Sequence, residues 1–270
     1  MSATSPASAR TRPDRCPGVL RPWPAADGAL VRVRVPGGQL PTASLVALSA
    51  VAREYGDGLV RVTGRANLQL RALPAVDGHL PAAVVEAIEA TGLLPSRSHD
   101  LARNILCSPQ TGRAGGRADL RPLVAALDRA VCASPVLAGL PGRFLFTLDD
   151  GRGDVRDRHV DLGLDAVDAR AGRVRTGPAT GDVVGLDRAA DVLVALAEDF
   201  VRARGDRPDA PWHLDEEFAA RPRSVVPLPY GPVAGGEHVA VPDGIDPATA
   251  ARWAALTSEV VITPWHGVLI

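Results

Sequence analysis

Val35-Pro36-Gly37-Gly38, with Pro41 three residues on, recurs as Val241-Pro242-Asp243-Gly244, with Pro247 three residues on. The offset is 206. Further along, Thr63 matches Thr263 and Leu68 matches Val268 at an offset of 200. A helix-to-strand loop six residues shorter in the second copy accounts for the difference. Both copies read strand, turn, helix, strand, tight turn, strand, and a repeat of this kind fixes architecture before any single residue does. A β-α-β-β unit leaves sheet edges unpaired, so two copies can complete one another. The second copy stops at Ile270, inside its last strand.

Within the first copy, Leu30 to Val35 alternates with period two, as a half-buried strand does. Pro41 to Tyr55 predicts a helix with Leu45, Leu48, Val51 and Ala52 in one apolar stripe. Leu59 to Val62 and Leu68 to Arg71 predict a hairpin across the turn Thr63–Asn67. Between the copies, helices are expected at Pro81–Ala90, at Asp119–Ala133 with Asp119 as cap, and at Asp187–Arg204. Phe144–Leu148 predicts a strand, with His159–Leu164 as a partner.

The chain has 270 residues, enough to bury a substantial core. Its 46% hydrophobic content excludes disorder throughout. The net charge of −1 excludes a broadly basic nucleic-acid coat. No apolar run reaches the length of a membrane span. The expectation is a cytoplasmic protein with no nucleic-acid and no membrane partner. All 30 basic residues are arginine, so every cation is a planar fork suited to carboxylates and oxyanions. Cys16, Cys107 and Cys132 are too scattered for a zinc or iron–sulfur site, and the six histidines show no ligand spacing.

Three stretches carry the polar chemistry. In Thr63-Gly64-Arg65-Ala66-Asn67-Leu68-Gln69, Arg65 projects from a strand-to-strand corner, and Asn67 and Gln69 share a strand face. That set suits an anion; a solvated polar hairpin is the competing reading. Arg103-Asn104-Ile105-Leu106-Cys107-Ser108-Pro109 leads into a Gly-rich turn that could offer backbone N–H groups to an anion; a loop with incidental polar residues competes. Leu140-Pro141-Gly142-Arg143-Phe144 puts Arg143 at a strand start.

Together these stretches resemble the siroheme nitrite/sulfite reductase superfamily, and within it the precorrin-3B synthase branch of cobalamin biosynthesis. The first looks like the T-x-R-x-N-x-Q signature, the second the R-N segment ending in S-P, the third the L-P-x-K/R-F strand entry. Thr263-Pro264-Trp265-His266-Gly267-Val268 resembles the second ferredoxin-like half. The resemblance covers residues 16–270. Ala66 and Leu145, where reductases often carry Gln and Lys, favour the synthase branch; His266 replaces an expected Arg.

The resemblance implies an α+β fold: two ferredoxin-like half-domains flanking a mixed α/β domain, the second half-domain truncated. The expected division is a disordered tail (1–15), half-domain 1 (16–75), a central domain (76–206), a linker (207–223) and an incomplete half-domain 2 (224–270). It implies that Arg65, Asn67, Gln69, Arg103, Asn104 and Arg143 surround a polycarboxylate tetrapyrrole or a small anion. It also implies a 4Fe–4S cluster with siroheme or other iron. The family's cluster cysteines, C-x5-C and C-x3-C after the second half, are missing here. The expected function is precorrin-3B synthase-like oxidation of a tetrapyrrole precursor, by a chain that is truncated or that needs a second, cysteine-rich polypeptide for the redox centre. The alternatives are a nitrite/sulfite reductase-like protein, a non-catalytic tetrapyrrole- or anion-binding module, and a gene fragment that cannot fold.

Overall fold

Alternation along the strand Gly28–Val33 turns Val31 and Val33 inward and leaves Arg32 on the opposite face. The computed structural model containing this strand describes residues 14–156, 158, 160–207, 209–220 and 226–270. Residues 1–13 of the expected tail, His159 of the expected strand, 208 and 221–223 of the expected linker, and 224–225 of the expected second half-domain lie outside it.

The first unit runs β1 (Trp23–Ala25), β2 (Gly28–Val33), β3 (Gln39–Pro41), α1 (Thr42–Tyr55), β4 (Arg61–Val62) and β5 (Leu68–Leu73). The middle of the chain runs α2 (Ala82–Ala90), β6 (Ile105–Cys107), α3 (Arg121–Ala133), β7 (Phe146–Asp149), β8 (Leu162–Ala166), β9 (Ala171–Thr176), β10 (Ala179–Gly185), α4 (Leu186–Arg204) and α5 (Glu216–Ala220). The last unit is β11 (Gly231–Val233), β12 (Gly236–Ala240), α6 (Pro247–Leu256), β13 (Glu259–Thr263) and β14 (Gly267–Leu269).

The repeat is visible in the sheet orders. The first sheet is β1-β2-β5-β4 and the third is β11-β12-β14-β13, with β3 added at its edge. Register agrees residue by residue: Arg32 lies opposite Gln69, and His238 lies opposite Leu269. Ala66 and His266 share the left-handed conformation, at φ 55° and 57°. β14 is shorter than β5, as expected, yet it pairs on both sides.

Each unit supplies an edge to the other. β3 of the first pairs with β13 of the second, while Ile245 and Val60 exchange backbone hydrogen bonds of 2.8 and 3.0 Å. Gly38 makes the first exchange possible: φ is 72°, and a Cβ there would stand 2.2 Å from the Ile262 carbonyl oxygen. Arg158 ties the two equivalent turns together by donating to the carbonyls of Gly64 (2.9 Å) and Pro264 (3.4 Å). One core then runs through both units, with Leu45 and Leu48 of α1, Ile88 of α2, Trp253 of α6 and Ile262 of β13.

The second sheet, β10-β9-β8-β7-β6, is parallel at β6-β7-β8 and antiparallel beyond. It packs with α3 and α4 around Phe144, Phe146, Leu164, Leu193 and Phe200. The β9–β10 hairpin has no counterpart in the sequence expectation. β10 is largely exposed, so no alternating apolar pattern announces it.

Several boundaries need correction. Pro41 closes β3 and precedes α1 instead of opening it. Asp119 does not cap α3: Leu120 holds the N-cap position without a side-chain cap bond, and Asp119 instead accepts the Arg121 N–H at 3.0 Å and pairs with its guanidinium. β7 begins two residues later than expected, and its partner β8 starts at Leu162. The described part of the expected linker is structured, with Phe218 buried on α5.

Candidate anion-binding site

The turn between β4 and β5 aims Arg65. Thr63 N–H donates to the Asn67 carbonyl at 2.9 Å, and Ala66 N–H to the Thr63 carbonyl at 3.0 Å. That lifts Arg65 out of the hairpin toward the central domain, where its Nη1 donates to the Arg143 carbonyl oxygen at 3.0 Å. Arg143 sits just before β7. Its guanidinium lies 4.8 Å from the Trp212 ring centre and 3.5 Å from Asp14.

Asp14 anchors the N-terminal segment here. Its carboxylate accepts the N–H groups of Cys16 (2.9 Å) and Gly142 (2.7 Å). The result is a cavity of about 330 Å³ lined by Arg15, Cys16, Pro17, Arg32, Arg65 and Arg143. Arg15 also lies 5.1 Å from the Trp23 ring centre.

Charge in this cavity is unbalanced. Four guanidinium groups line it, and a fifth, Arg34, is buried behind it at 2% exposure. Asp14 is the only carboxylate within ion-pair distance of any of the five among the described residues. Burial, with repulsion from Arg32, brings Arg34 down to about 10. Burial, with repulsion from Arg32 and Arg143, also lowers Arg65. An arriving anion relieves both effects, because opposite charge favours the protonated guanidinium. Guanidinium forks bind carboxylates with two parallel hydrogen bonds, so carboxylate and oxyanion groups are the ligands of choice.

Arg65 and Arg143 therefore meet as the sequence suggested, but Arg103 does not join them. Arg103 is 4% exposed, grips Asp128 of α3 with bonds of 2.7 and 2.9 Å, and donates to the Leu93 carbonyl at 2.9 Å. These bonds hold α3 to the loop before β6. Asn67 and Asn104 are buried supports: Asn67 takes the Val35 N–H and donates to Asn104 Oδ1 at 3.1 Å. Asn104 donates to the Gly142 carbonyl at 2.9 Å and so steadies the residue beside Arg143. Gln69 stands opposite Arg32 on β5 but does not line the cavity.

Arg15, Arg32 and Asp14 were missed. The signal for Arg32 was present: Arg32 and Arg34, two apart on a strand, put two cations on one face. Arg15 and Asp14 fell in the stretch read as a tail. The second unit carries no equivalent cluster, because His238 and Leu269 occupy the register positions of Arg32 and Gln69, and Trp265 stands at the turn position of Arg65.

Two other groupings lie elsewhere. Ser108 Oγ donates to Asp154 at 2.6 Å, near Asp149 and Asp150, and burial pushes Asp154 up to about 6. Asp161 accepts from the N–H groups of Leu145 and Leu214 and holds His213 Nδ1 at 3.0 Å. Among the described residues, no group of three or more His, Cys, Asp or Glu could hold a metal ion. A 4Fe–4S cluster needs about four thiolates, and the residues present do not fit one.

Comparison with known proteins agrees with this architecture. Residues 24–78 match the family model "Nitrite/Sulfite reductase ferredoxin-like half domain". Over 67 residues the chain is 40% identical to a precorrin-3B synthase of Sinorhizobium sp, covering 25% of this chain and 15% of that protein. Over 231 residues it is 28% identical to a ferredoxin–nitrite reductase of Synechococcus elongatus, covering 75% of this chain and 44% of that one. The structure of the Mycobacterium tuberculosis NirA protein superposes with a TM-score of 0.67 at 19% identity, over 90% of this chain and 53% of that one. The chain thus spans less than half the length of these two curated relatives. No helix among the described residues is long and apolar enough to cross a membrane.

Proposed function

Taking as premise that this chain carries the fold of the nitrite/sulfite reductase superfamily, we propose that it is the substrate-binding part of a precorrin-3B synthase-like oxidoreductase. Its ligand is a polycarboxylate tetrapyrrole of cobalamin biosynthesis. The observation that carries this reading is the meeting of Arg65 and Arg143, with Arg15 and Arg32, around one cavity, where Asp14 is the only carboxylate at ion-pair distance among the described residues.

The chain's own residues do three things in this reading. Arg65 and Arg143 clamp peripheral carboxylates, and the bond from the Arg65 guanidinium to the Arg143 backbone carbonyl holds Arg65 beside its partner. Arg15 and Arg32 hold a second carboxylate. The buried Asn67–Asn104 pair keeps the two domains in register, so the forks stay aimed. An iron–sulfur cluster and iron tetrapyrrole, where a relative carries them, supply electron transfer. Here the cluster ligands would come from a further cysteine-rich polypeptide.

A second reading, a nitrite/sulfite reductase-like protein, draws support from the match over 231 residues to the nitrite reductase. Titration separates the two. Uroporphyrin, an eight-carboxylate macrocycle, should bind with micromolar or better affinity, and millimolar nitrite or sulfite should not displace it. Full displacement by either small anion favours the second reading, and no uroporphyrin binding rejects the first.

A further inference from the structure

The arginine pocket contains one group that carboxylate recognition does not use. Cys16 is 5% exposed and forms part of the cavity wall. Its Sγ accepts N–H bonds from Arg32 Nη1 at 3.3 Å and Arg34 Nη2 at 3.5 Å. A separate observation concerns Arg34. It is almost wholly buried, its Nε has no partner, and no carboxylate lies within ion-pair distance among the described residues. Its remaining bonds go to the carbonyls of Arg32 and Pro17, at 3.5 and 3.3 Å. Asp100 acts on it only from beyond ion-pair range. A buried cation demands hydrogen-bond acceptors, and besides two backbone carbonyls the acceptor within reach of Arg34 is the Cys16 sulfur.

We propose that Cys16 is a site of S-thiolation by low-molecular-weight disulfides that carry carboxylates. The Cys16 thiol gives its proton to solvent, and its sulfur attacks one sulfur of the incoming disulfide, whose S–S bond breaks. A new S–S bond joins Cys16 to that half. The other half leaves as a thiolate with the bonding pair and takes a proton from solvent. Cys16 is oxidised and the reagent is reduced. The lining arginines draw in the carboxylates of the reagent. The attached half fills the pocket, so thiolation and anion binding exclude one another. That consequence rests on the proposed function; the modification itself does not.

The other thiols provide the contrast. Cys107 lies in the central core, where burial, with the nearby Asp150, pushes it well above its ordinary value. Burial also raises Cys132. Both are poorer nucleophiles in this setting.

The test uses the full chain with oxidised glutathione, bis(2-hydroxyethyl) disulfide and cystamine, which are anionic, neutral and cationic in turn. Intact mass and peptide mapping follow the adducts. A single adduct on Cys16 is expected, forming about tenfold faster with oxidised glutathione than with the neutral reagent at low salt. High salt and Arg143→Ala should both erase that preference, and Cys16→Ser should abolish the adduct. First reaction at Cys107 or Cys132, no adduct at all, or equal rates with the three reagents in the wild type would overturn the proposal. Uroporphyrin binding is measured on the same protein without disulfide, so failure of the proposed function shows independently of the adduct.

Discussion

Arg65 Nη1 rests 3.0 Å from the carbonyl oxygen of Arg143, joining two arginines 78 residues apart. One belongs to a hairpin turn of the first repeat, the other to the entry of a central strand. The bond closes one wall of the cavity and brings two like charges together; among the described residues Asp14 is the only carboxylate at ion-pair distance, with Asp161 acting on Arg65 from farther off. Such a site is stable because a planar guanidinium tolerates partial desolvation while keeping its charge.

Removing either guanidinium should therefore weaken anion binding without unfolding the protein. Arg65→Ala and Arg143→Ala are each expected to raise the uroporphyrin Kd by roughly tenfold or more, since a charge-assisted bond contributes about 1.5–3 kcal/mol. Calorimetric titration with a parallel thermal melt checks this. A lost Tm with an unaltered Kd would show that these residues are structural.

Arg103 should behave in the opposite way. Breaking its bidentate pair with Asp128 leaves a carboxylate uncompensated, so Arg103→Met is expected to lower stability by about 3 kcal/mol. Urea denaturation measures that, and the Kd of the variant that still folds should match the wild type within about twofold. A large change in Kd with unaltered stability would return Arg103 to the site.

The repeat interface offers a backbone test. Gly38→Ala would drive a methyl into the Ile262 carbonyl oxygen and force an unfavourable φ. A loss of at least about 2 kcal/mol is expected. Gly58, at φ 85° with open space around it, is the control, and Gly58→Ala should cost about 1 kcal/mol from conformation alone. Equal losses at the two positions would deny the close approach of the two units.

Asp154 sets a pH dependence. Its carboxyl stands at about 6, above the ordinary 3.8, chiefly because it is buried. Between about pH 4 and 6 the native state keeps a proton that the unfolded chain releases, so this group makes stability fall as pH rises through that window and level off above it. The two values correspond to at most about 3 kcal/mol at 1.36 kcal/mol per tenfold. Asp154→Asn keeps an oxygen for Ser108 and should remove that slope. Superimposable pH profiles of Tm for the two proteins would refute the assignment.

The fold was legible where local backbone demands leave a mark. Turn residues such as Pro36-Gly37-Gly38 and Pro242-Asp243-Gly244 are constrained by conformation, so the repeat survives in them while side chains diverge. The apolar stripe of α1 is equally plain, because Leu45 and Leu48 meet the shared core. The site was half legible. Arg65 and Arg143 could be picked out from short motifs, but the fate of Arg103 depends on Asp128, 25 residues away and brought close only by the packing of α3. Nothing local distinguishes a guanidinium that faces a cavity from one that grips a helix. Arg15 and Asp14 were invisible for the same reason: they become ordered through contacts with Trp23, Gly142 and Arg143, not through any pattern of their own.

A crystal structure of the chain with uroporphyrin bound tests the central claim most directly. Peripheral carboxylates should lie within hydrogen-bond distance of Arg65 and Arg143, with Arg103 still on Asp128. A macrocycle bound elsewhere, with the cavity beside Cys16 free of carboxylates, would contradict it.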